Sequence, residues 1–364
     1  MLIYLTTILL SVLLCLGMKP EKGLRARLSA SWDIRWVLLL VLLGGVAGWR
    51  DHVGTDYGTY TDIFSLVRNV PYSQLIREDE PLFSILNRAC ADLFGDYVPM
   101  FVLVAMLTVA LLLYGVYRES SQYWLSLFLL ITGMYYFDLF NGSRQMVATA
   151  IMFAAYPLLK RKNWVPLILL TLVATGFHAS APIILAAFFF AACVRPGSFL
   201  MWFVAAVFII SFLSYQGFVD FLTNLMSSME NRYAHYDEML AQSGQGANVL
   251  RFALTLMPVL FGAFSWRQIK RQRKDAGILL NLSLVNALFM LLATRHWIFA
   301  RYCMYFGVYN ILLWPEIINA FEPRSKQLMT IGVVFIYFVY FVLIIHTDSN
   351  LLPYRSVLFG GVYH

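Results

Sequence analysis

The stretch "WVLLLVLLGGVAGW" (residues 36–49) is followed without a break by "RDHVGTDYGTY" (residues 50–60). The first stretch has no charged side chain, whereas the second places an arginine, two aspartates and a histidine between positions 50 and 56. An uninterrupted apolar run predicts a helix in a membrane. The polar residues directly after it predict a group of reactive side chains at the membrane boundary.

The composition extends this interpretation to the whole chain. Its 364 residues are 60% hydrophobic and 13% charged, with a mean hydropathy of +0.69, whereas soluble domains carry about 25% charged residues. We therefore predict an all-α, polytopic membrane protein that forms one membrane domain over residues 1–364. About twelve apolar runs are candidate transmembrane helices: 2–18, 36–49, 98–117, 123–140, 144–159, 163–177, 181–194, 199–214, 251–266, 277–294, 302–320 and 327–346. Two longer segments between runs, 50–97 and 215–250, show helical periodicity and predict amphipathic helices at the outer face.

The distribution of lysine and arginine predicts the orientation. The first run lacks a basic region before it and is followed by Lys19, Lys22, Arg25 and Arg27, which fits an anchor with its N-terminus outside. Alternation then places all seven lysines in the cytoplasm, and the ten outer cations are all arginines: 50, 68, 77, 88, 144, 232, 251, 295, 301 and 355. This bias towards positive charge inside accounts for the net charge of +7, so we predict no nucleic-acid partner.

The outer arginines predict recognition of an anion. The planar guanidinium fork matches phosphate or carboxylate, whereas lysine is a point charge. Arg144, Arg251 and Arg301 each stand where a predicted span begins at the outer face, and a helix N-terminus with an arginine can hold a phosphate. Asn141 or Ser143 is the expected N-cap of the Arg144 helix. The alternatives are that lysine merely marks the cytoplasmic side, and that these arginines anchor the helices at the headgroups.

Candidate bases lie on the same predicted face. His178 stands in "GFHASAP" (residues 176–182), where it can be a general base or a histidine hydrogen-bonded in a turn. Asp51, His52 and Asp56 compete with it, and we rank Asp56 and His178 first. Other acids on this face are Asp62, Glu80 and Asp138, although Glu80 before Pro81 also reads as an ordinary helix start.

Metal ligands, cysteines and one glycine-containing loop give weaker signals. A metal site from His52, His178 and Asp56 has no ligand-spaced motif behind it, so we expect neither a metal nor a cofactor. The four cysteines do not suggest a disulfide framework, and Cys90 is expected alone in an outer loop. The stretch "SGQGAN" (residues 243–248) is either a hinge of a lid or a solvated loop.

Five motifs occur in an order that resembles the EpsG family, which belongs with the Wzy-type polymerases of bacterial surface polysaccharides. The motifs are "RDHVGTDYGTY" (50–60), "EPLF" (80–83), "NGSRQMVATAI" (141–151), "FHASA" (177–181) and "RYCMYF" (301–306). No single motif is diagnostic, and the resemblance rests on their order along residues 50–306.

The resemblance implies a membrane glycosyltransferase of O-antigen, capsule or exopolysaccharide synthesis. A growing glycan on polyprenyl diphosphate would be transferred to a lipid-linked repeat unit at the outer, periplasmic face of the bacterial cytoplasmic (inner) membrane. The expected partners are the lipid-linked oligosaccharide, the bilayer, a chain-length regulator and a flippase. We expect Asp56, His178, Arg144 and Arg301 to be catalytic. The expected binding residues for substrate and diphosphate are Arg50, Asp51, His52, Tyr57, Arg251, Arg295 and His296.

Three other activities compete with this one. A flippase of lipid-linked sugars would need polar groups near mid-membrane, where the predicted spans offer Asn281, Asn286 and Asn310 but no arginine or carboxylate pair. An O-antigen ligase-like transferase would share the outer arginine chemistry and differ in its acceptor. A membrane acyltransferase fits less well.

Overall fold

The computed structural model describes residues 1–18, 33–227, 246–347, 350–358 and 361–363. Most of the basic loop after the first run lies outside these residues, as do Arg232, His235 and His364. The chain divides into two compact units, Met1–Ala186 with Trp314–His364, and Ala187–Leu313. The single membrane domain expected from the sequence stays a prediction.

The first unit is helical, with one short hairpin. Its complete helices are α1 (Leu2–Cys15), α2 (Ile34–Gly48), α3 (Tyr57–Val67), α4 (Tyr72–Leu75), α5 (Pro81–Phe94), α6 (Val98–Glu119), α7 (Tyr123–Thr132), α8 (Asp138–Asn141), α9 (Ser143–Ala154), α10 (Tyr156–Lys160), α11 (Trp164–Phe177) and α20 (Pro323–Ile345). The strands β1 (Tyr354–Ser356) and β2 (Gly361–Tyr363) pair antiparallel, with Arg355 opposite Val362.

Helix α6 is the centre of this unit, because α2, α5 and α9 all pack against it. The apolar run 36–49 forms most of α2, and its glycines Gly44 and Gly48 face α6. A Cβ at Gly48 would lie 2.9 Å from the Cα of Val102, and one at Gly44 would collide with the Met106 sulfur. Small residues four apart let two helix backbones approach closely. This glycine pair therefore sets the distance between α2 and α6.

The outer segment 50–97 contains the amphipathic helices that were expected. In α3 the buried side chains include Tyr60, Phe64 and Val67, which follow the predicted stripe. Helix α5 begins with Pro81 and ends at Gly95, whose φ of 69° closes it in the left-handed region. Cys90 lies buried within α5 rather than in a loop.

Helix α5 also brings two distant parts of the chain together. It packs against α3 and α11, and the N-terminus of α5 meets the residues that follow α11. This contact positions the candidate site.

The second unit is organised around one long helix, Ala276–Ala293. Its complete helices are α13 (Phe199–Leu213), α14 (Tyr215–Ser227), α15 (Val249–Phe264), α16 (Trp266–Gln272), α17 (Ala276–Ala293) and α18 (Ile298–Gly307). Helices α13, α15 and α18 pack against α17. The side chain of Asn281 in α17 donates hydrogen bonds to the carbonyls of Ala191 and Val194. These carbonyls lie at the end of α12 (Pro182–Cys193), while α19 (Asn310–Asn319) begins at the other boundary between the units.

Among the described residues, three helices are long and apolar enough to cross a membrane: α6, α17 and α20. The number rises to five if α13 with α14, bent by 103°, and α15 with α16, bent by 79°, each count as one crossing. Every predicted apolar run contains helix, but the twelve spans are not confirmed, and the run 302–320 is divided between α18 and α19. The run 123–140 breaks around Met134, which has a positive φ of 69°, and 144–159 breaks at Ala155. Five of the remaining apolar helices have only 10–17 residues, and a helix of 14 residues covers about 21 Å of the roughly 30 Å of hydrocarbon.

Candidate active site

The carboxylate of Glu80 is the centre of a polar cluster in the first unit. Its Oε1 lies 2.6 Å from Nδ1 of His178 and accepts a 3.1 Å hydrogen bond from the Ala179 N–H. Its Oε2 forms a close ion pair with Nη1 of Arg144. Glu80 is the N-cap residue of α5, His178 caps the C-terminus of α11, and Arg144 is the second residue of α9. Three helix ends therefore meet at one carboxylate.

The surroundings of Glu80 keep it ionised. Burial by itself would raise its pKa, but the hydrogen bond from His178 and the charge of Arg144 outweigh burial, so the pKa of Glu80 lies below its usual value. An ionised carboxylate can only accept hydrogen bonds. Nδ1 of His178 therefore carries the hydrogen in this contact, and in the neutral imidazole Nε2 is left as the basic nitrogen.

Two aromatic rings lie close to the guanidinium of Arg144. Its Cζ lies 5.8 Å from the ring centre of Tyr60 and 5.7 Å from that of Phe83, which is within the range of cation–π attraction. Its backbone N–H reaches the Tyr60 hydroxyl at 3.5 Å. Its side chain is 29% exposed, and Nε has no hydrogen-bond acceptor among the described residues.

The expected N-cap of the Arg144 helix was wrong. The cap residue is Gly142, without a side-chain hydrogen bond. The Asn141 side chain instead accepts from the backbone and hydroxyl of Thr55, at 2.7 and 3.1 Å. The hydroxyl of Ser143 donates to the Leu139 carbonyl.

The loop that follows α2 packs closely against the loop before α9. Gly54 has a φ of +98°, and a Cβ there would collide with the carbonyl oxygen of Phe140. Only glycine combines this backbone conformation with so close an approach. The motif 50–60 is thus joined to the motif 141–151.

Arg50 does not have the exposed position that phosphate binding would require. It is 2% exposed, and its guanidinium donates to the carbonyls of Ala47 and Val53 and, at 3.2 Å, to the Ser143 hydroxyl. The rings of Phe101 and Phe140 lie 4.7 and 5.0 Å from its Cζ. Burial lowers the pKa of Arg50 to about 10, which still leaves a cation at neutral pH. Each of its three nitrogens donates a hydrogen bond within the protein. Arg50 therefore supports the loop that follows α2.

The other predicted residues of this loop differ in exposure. Asp51 and His52 form a solvent-exposed pair, with Oδ1 of Asp51 2.6 Å from Nδ1 of His52. Tyr57 is buried and stacks on Phe101, with the ring centres 4.5 Å apart. Asp56 is partly exposed immediately before α3 and accepts a 3.4 Å hydrogen bond from Thr55. In the described part of the chain, no three His, Cys, Asp or Glu side chains are grouped closely enough to hold a metal ion.

The remaining predicted residues lie in the second unit. Arg295 and Arg301 are exposed, with Cζ 4.5 Å from the ring centre of Phe212 and 5.4 Å from that of Trp297. His296 is 3% exposed and its Nδ1 accepts from the Ile298 N–H. Arg251 is partly buried in the first turn of α15. The roles predicted for these four residues stay predictions.

The described end of "SGQGAN" is anchored. The Ala247 N–H donates to the Ala293 carbonyl at 2.7 Å, and the Asn248 side chain caps α15 by accepting from the Leu250 N–H. Residues 243–245 lie outside the described residues, so the hinge interpretation stays a prediction for them.

Sequence reasoning named Glu80 as an acid of the outer face but did not select it. Its position directly before Pro81 is typical of helix starts, which hid the role of its carboxylate. Tyr60 and Phe83 were part of motifs but were not assigned to the site. The useful signal is that Glu80, Arg144 and His178 each stand in a different motif.

Comparison with known proteins identifies a family. A family model described as the EpsG family matches residues 33–356. The match contains all five motifs, four of which the structure brings together through Glu80, Asn141, Arg144 and His178. No curated protein and no solved structure matches the chain.

Proposed function

Because the chain belongs to the EpsG family, a family of Wzy-type polysaccharide polymerases, we propose that it polymerises a bacterial surface polysaccharide from lipid-linked repeat units. In each cycle a growing glycan leaves polyprenyl diphosphate and joins the nonreducing sugar of another lipid-linked unit. The reaction takes place at the outer face of the cytoplasmic membrane.

One observation links the proposed function to particular residues. Glu80 joins Arg144 and His178, which are two of the three predicted catalytic residues of the first unit, at a single carboxylate. A polymerase must remove a proton from an acceptor hydroxyl and stabilise a departing diphosphate. A histidine and an arginine side by side can perform these two tasks.

We assign the proton transfer to His178. Glu80 holds Nδ1–H, so that Nε2 faces the acceptor as the base. The acceptor oxygen then bonds to the anomeric carbon while the bond from this carbon to the diphosphate oxygen breaks. The hydroxyl proton passes to Nε2, and the bonding electron pair leaves with the polyprenyl diphosphate. Asp56, the second candidate base, lies before α3 and stays an alternative.

We assign the stabilisation of the leaving group to Arg144 at the start of α9. Donors aimed at a position where negative charge develops lower the barrier. Glu80 engages Nη1, and a guanidinium carries five N–H donors, which supports a further contact of Arg144 to diphosphate oxygens. Arg301, Arg295 and Arg251 are proposed as phosphate ligands of the second unit, and the buried His296 is proposed to support the residues around Arg295 through its hydrogen bond from the Ile298 N–H. Asp51 and His52, the exposed pair of this loop, are proposed to border the acceptor, and the buried Tyr57 is proposed to support the loop through its stacking on Phe101.

The long apolar helices support a substrate with a polyprenyl tail. Helices α6, α17 and α20 supply surface for the lipid. A chain-length regulator and a flippase are the proposed protein partners, since polymerisation outside requires translocated units and a means of stopping.

The deciding experiment supplies purified protein in proteoliposomes with one lipid-linked repeat unit. We expect a ladder of products with increasing numbers of repeats. A single transfer to a different acceptor would instead indicate a ligase, and translocation of the unit without any new glycosidic bond would indicate a flippase.

A further inference from the structure

A segment near the end of the described chain, residues 350–357, is hydrogen-bonded to the loop that follows α2. The Asp51 N–H donates to the Arg355 carbonyl, and the Val357 N–H donates to the Trp49 carbonyl, each at 3.0 Å. These two bonds flank an antiparallel bridge between Arg50 and Ser356. The Gly54 N–H donates to the Asn350 carbonyl at 2.9 Å. Three backbone bonds therefore hold residues 49–54 along this segment.

The same segment is fixed on its other side by two tyrosines. The Tyr4 hydroxyl donates to the Leu351 carbonyl, and the Tyr354 hydroxyl donates to the Val46 carbonyl, each at 2.9 Å. Leu351 and Tyr354 are buried, and the Tyr4 and Tyr354 rings are 5.6 Å apart in an edge-on contact. Segment 350–357 is thus packed against α1 and α2, and its carbonyls are held in place for the loop.

The loop in turn contacts the residues directly before Arg144. Arg50 donates to the Ser143 hydroxyl, and Thr55 donates to Asn141. Gly54 lies against the Phe140 carbonyl. A displacement of residues 49–54 would therefore move the start of α9, where Arg144 emerges.

We propose that segment 350–357 is a positioning element of the transferase site, which holds Arg144 in register through residues 49–54 and Arg50. This inference rests on the proposed function only for its catalytic consequence. A separate observation supports it, because the match to the EpsG family continues to residue 356, where the bridge to Arg50 lies and fifty residues beyond the last recognised motif, which ends at Phe306.

The test compares Val357→Pro with Val357→Ala in the full chain. Proline lacks the N–H that bonds to Trp49, whereas alanine keeps it, and the Val357 side chain is 38% exposed, so its loss alone changes little. We expect Val357→Pro to lower kcat for ladder formation by up to about 10²-fold, because small misplacement of a catalytic group costs that much. KM should change little, and Val357→Ala should behave as the unmodified protein.

Hydrogen exchange supplies a readout that does not need activity. Val357→Pro should speed amide exchange at Asp51 and Gly54 and in the peptide covering residues 141–146. Unchanged exchange in 141–146 while Asp51 and Gly54 are deprotected would overturn the inference, because the segment would then have no influence on α9. Normal kcat in that variant would overturn it as well. Absence of a ladder from the unmodified protein would count against the proposed function alone, and the exchange result would still decide the positioning role.

A second variant covers the case in which Val357→Pro is not recovered from membranes or leaves Asp51 protected. Arg50→Lys keeps the buried charge but cannot reach the Ala47, Val53 and Ser143 oxygens together. We expect it to lower kcat without raising KM and to deprotect residues 141–146. A raised KM with normal kcat and normal protection would contradict positioning and would indicate direct substrate binding by Arg50.

Discussion

Oε1 of Glu80 lies 2.6 Å from Nδ1 of His178, although 98 positions separate the two residues in the chain. This contact fixes the orientation of a histidine that would otherwise be one more hydrogen-bonded turn residue. The other oxygen of the same carboxylate pairs with the positive charge of Arg144. Glu80, His178 and Arg144 can each be substituted separately, so the role of each side chain can be tested on its own.

His178→Gln should abolish most polymerisation. Glutamine can still hydrogen-bond to Glu80 but cannot act as a base, and general acid–base catalysis contributes roughly 10²–10⁴ in rate. The measurement is the initial rate of ladder formation in proteoliposomes at saturating lipid-linked substrate. The control is Glu78→Gln, which lies in the same loop and contacts Ser84 instead. Rates within a few-fold of the unmodified protein would exclude His178 as the base and leave Asp56.

Arg144→Lys separates chemistry from anchoring at the membrane surface. Lysine keeps the charge and the long stem but loses the paired N–H contacts. Loss of one such donor set typically costs about 2.7–4 kcal/mol, or roughly 10²–10³ in rate. We expect Arg144→Lys, and Arg301→Lys in the second unit, to accumulate normally and to form poor ladders per unit of protein. The control is Arg118→Lys, whose guanidinium donates to the Tyr114 hydroxyl on the predicted cytoplasmic side. Near-normal ladders from both would mean that these arginines are anchors.

Gly54→Ala should destabilise the protein, and Gly58→Ala should not. A Cβ at position 54 meets the Phe140 carbonyl at a positive φ, whereas a Cβ at position 58 meets nothing within 4 Å. Gly58 lies inside α3, where alanine is favoured by about 0.5–1 kcal/mol. Thermal unfolding in detergent should therefore show a lower Tm for Gly54→Ala and an unchanged or higher Tm for Gly58→Ala. Equal behaviour of the two variants would mean that the loop does not need this close approach.

The pH dependence of stability should identify Glu80 as an ionised group. Its pKa is lowered in the folded state, so the carboxylate stabilises the fold above the unfolded-state pKa of about 4.3. That contribution is lost as the pH falls through the lower, folded-state value. The Tm difference between the unmodified protein and Glu80→Gln should therefore be constant from neutral pH to about pH 5 and shrink below about pH 4. A difference that already disappears between pH 7 and 6 would contradict the lowered pKa.

Cysteine labelling should establish which side of the membrane the site faces. Thr59 and Ser73 are exposed in the segment predicted to be outside, and Arg161 and Gln272 are exposed in segments predicted to be inside. In a cysteine-free background, Thr59→Cys and Ser73→Cys should react with an impermeant thiol reagent added to intact cells. Arg161→Cys and Gln272→Cys should react only after the membrane is opened. Labelling of Gln272→Cys in intact cells would reverse the orientation and with it the proposed location of the reaction.

The sequence predicts the helices better than it predicts their ends. Every apolar run forms helix because hydrophobic periodicity is a local property. The break at Met134 depends on a positive φ at a residue type that gives no warning of it. Arg50 shows the same limit for the site, because two of its acceptors are within three residues while Ser143 is 93 positions away. An arginine at the end of an apolar run looks the same whether its charge points to a ligand or is enclosed by carbonyls and rings.

Glu80 could be named but not selected from the sequence. Several carboxylates lie on the predicted outer face, and which one meets His178 depends on the packing of α5 against α11. That packing is a tertiary property. Arg144 and His178 were predicted to belong to a site because each stands in a short polar motif at one end of an apolar run, and their catalytic roles stay predictions.

The length of α11 has a consequence for the depth of the reaction. On the predicted orientation, Trp164 follows the basic residues 160–162 at the cytoplasmic surface, where tryptophan commonly sits. The helix has fourteen residues and ends at Phe177, so a helix parallel to the membrane normal places His178 only about 21 Å from Trp164, in a hydrocarbon layer about 30 Å thick. Either the lipids thin locally around this helix to remove the hydrophobic mismatch, or the histidine sits in a recess beneath the outer headgroups. In the second case the diphosphate of a polyprenyl substrate bound by Arg144 would lie below the level of the surrounding lipid phosphates, and the sugar acceptor would have to descend from the aqueous phase to reach it.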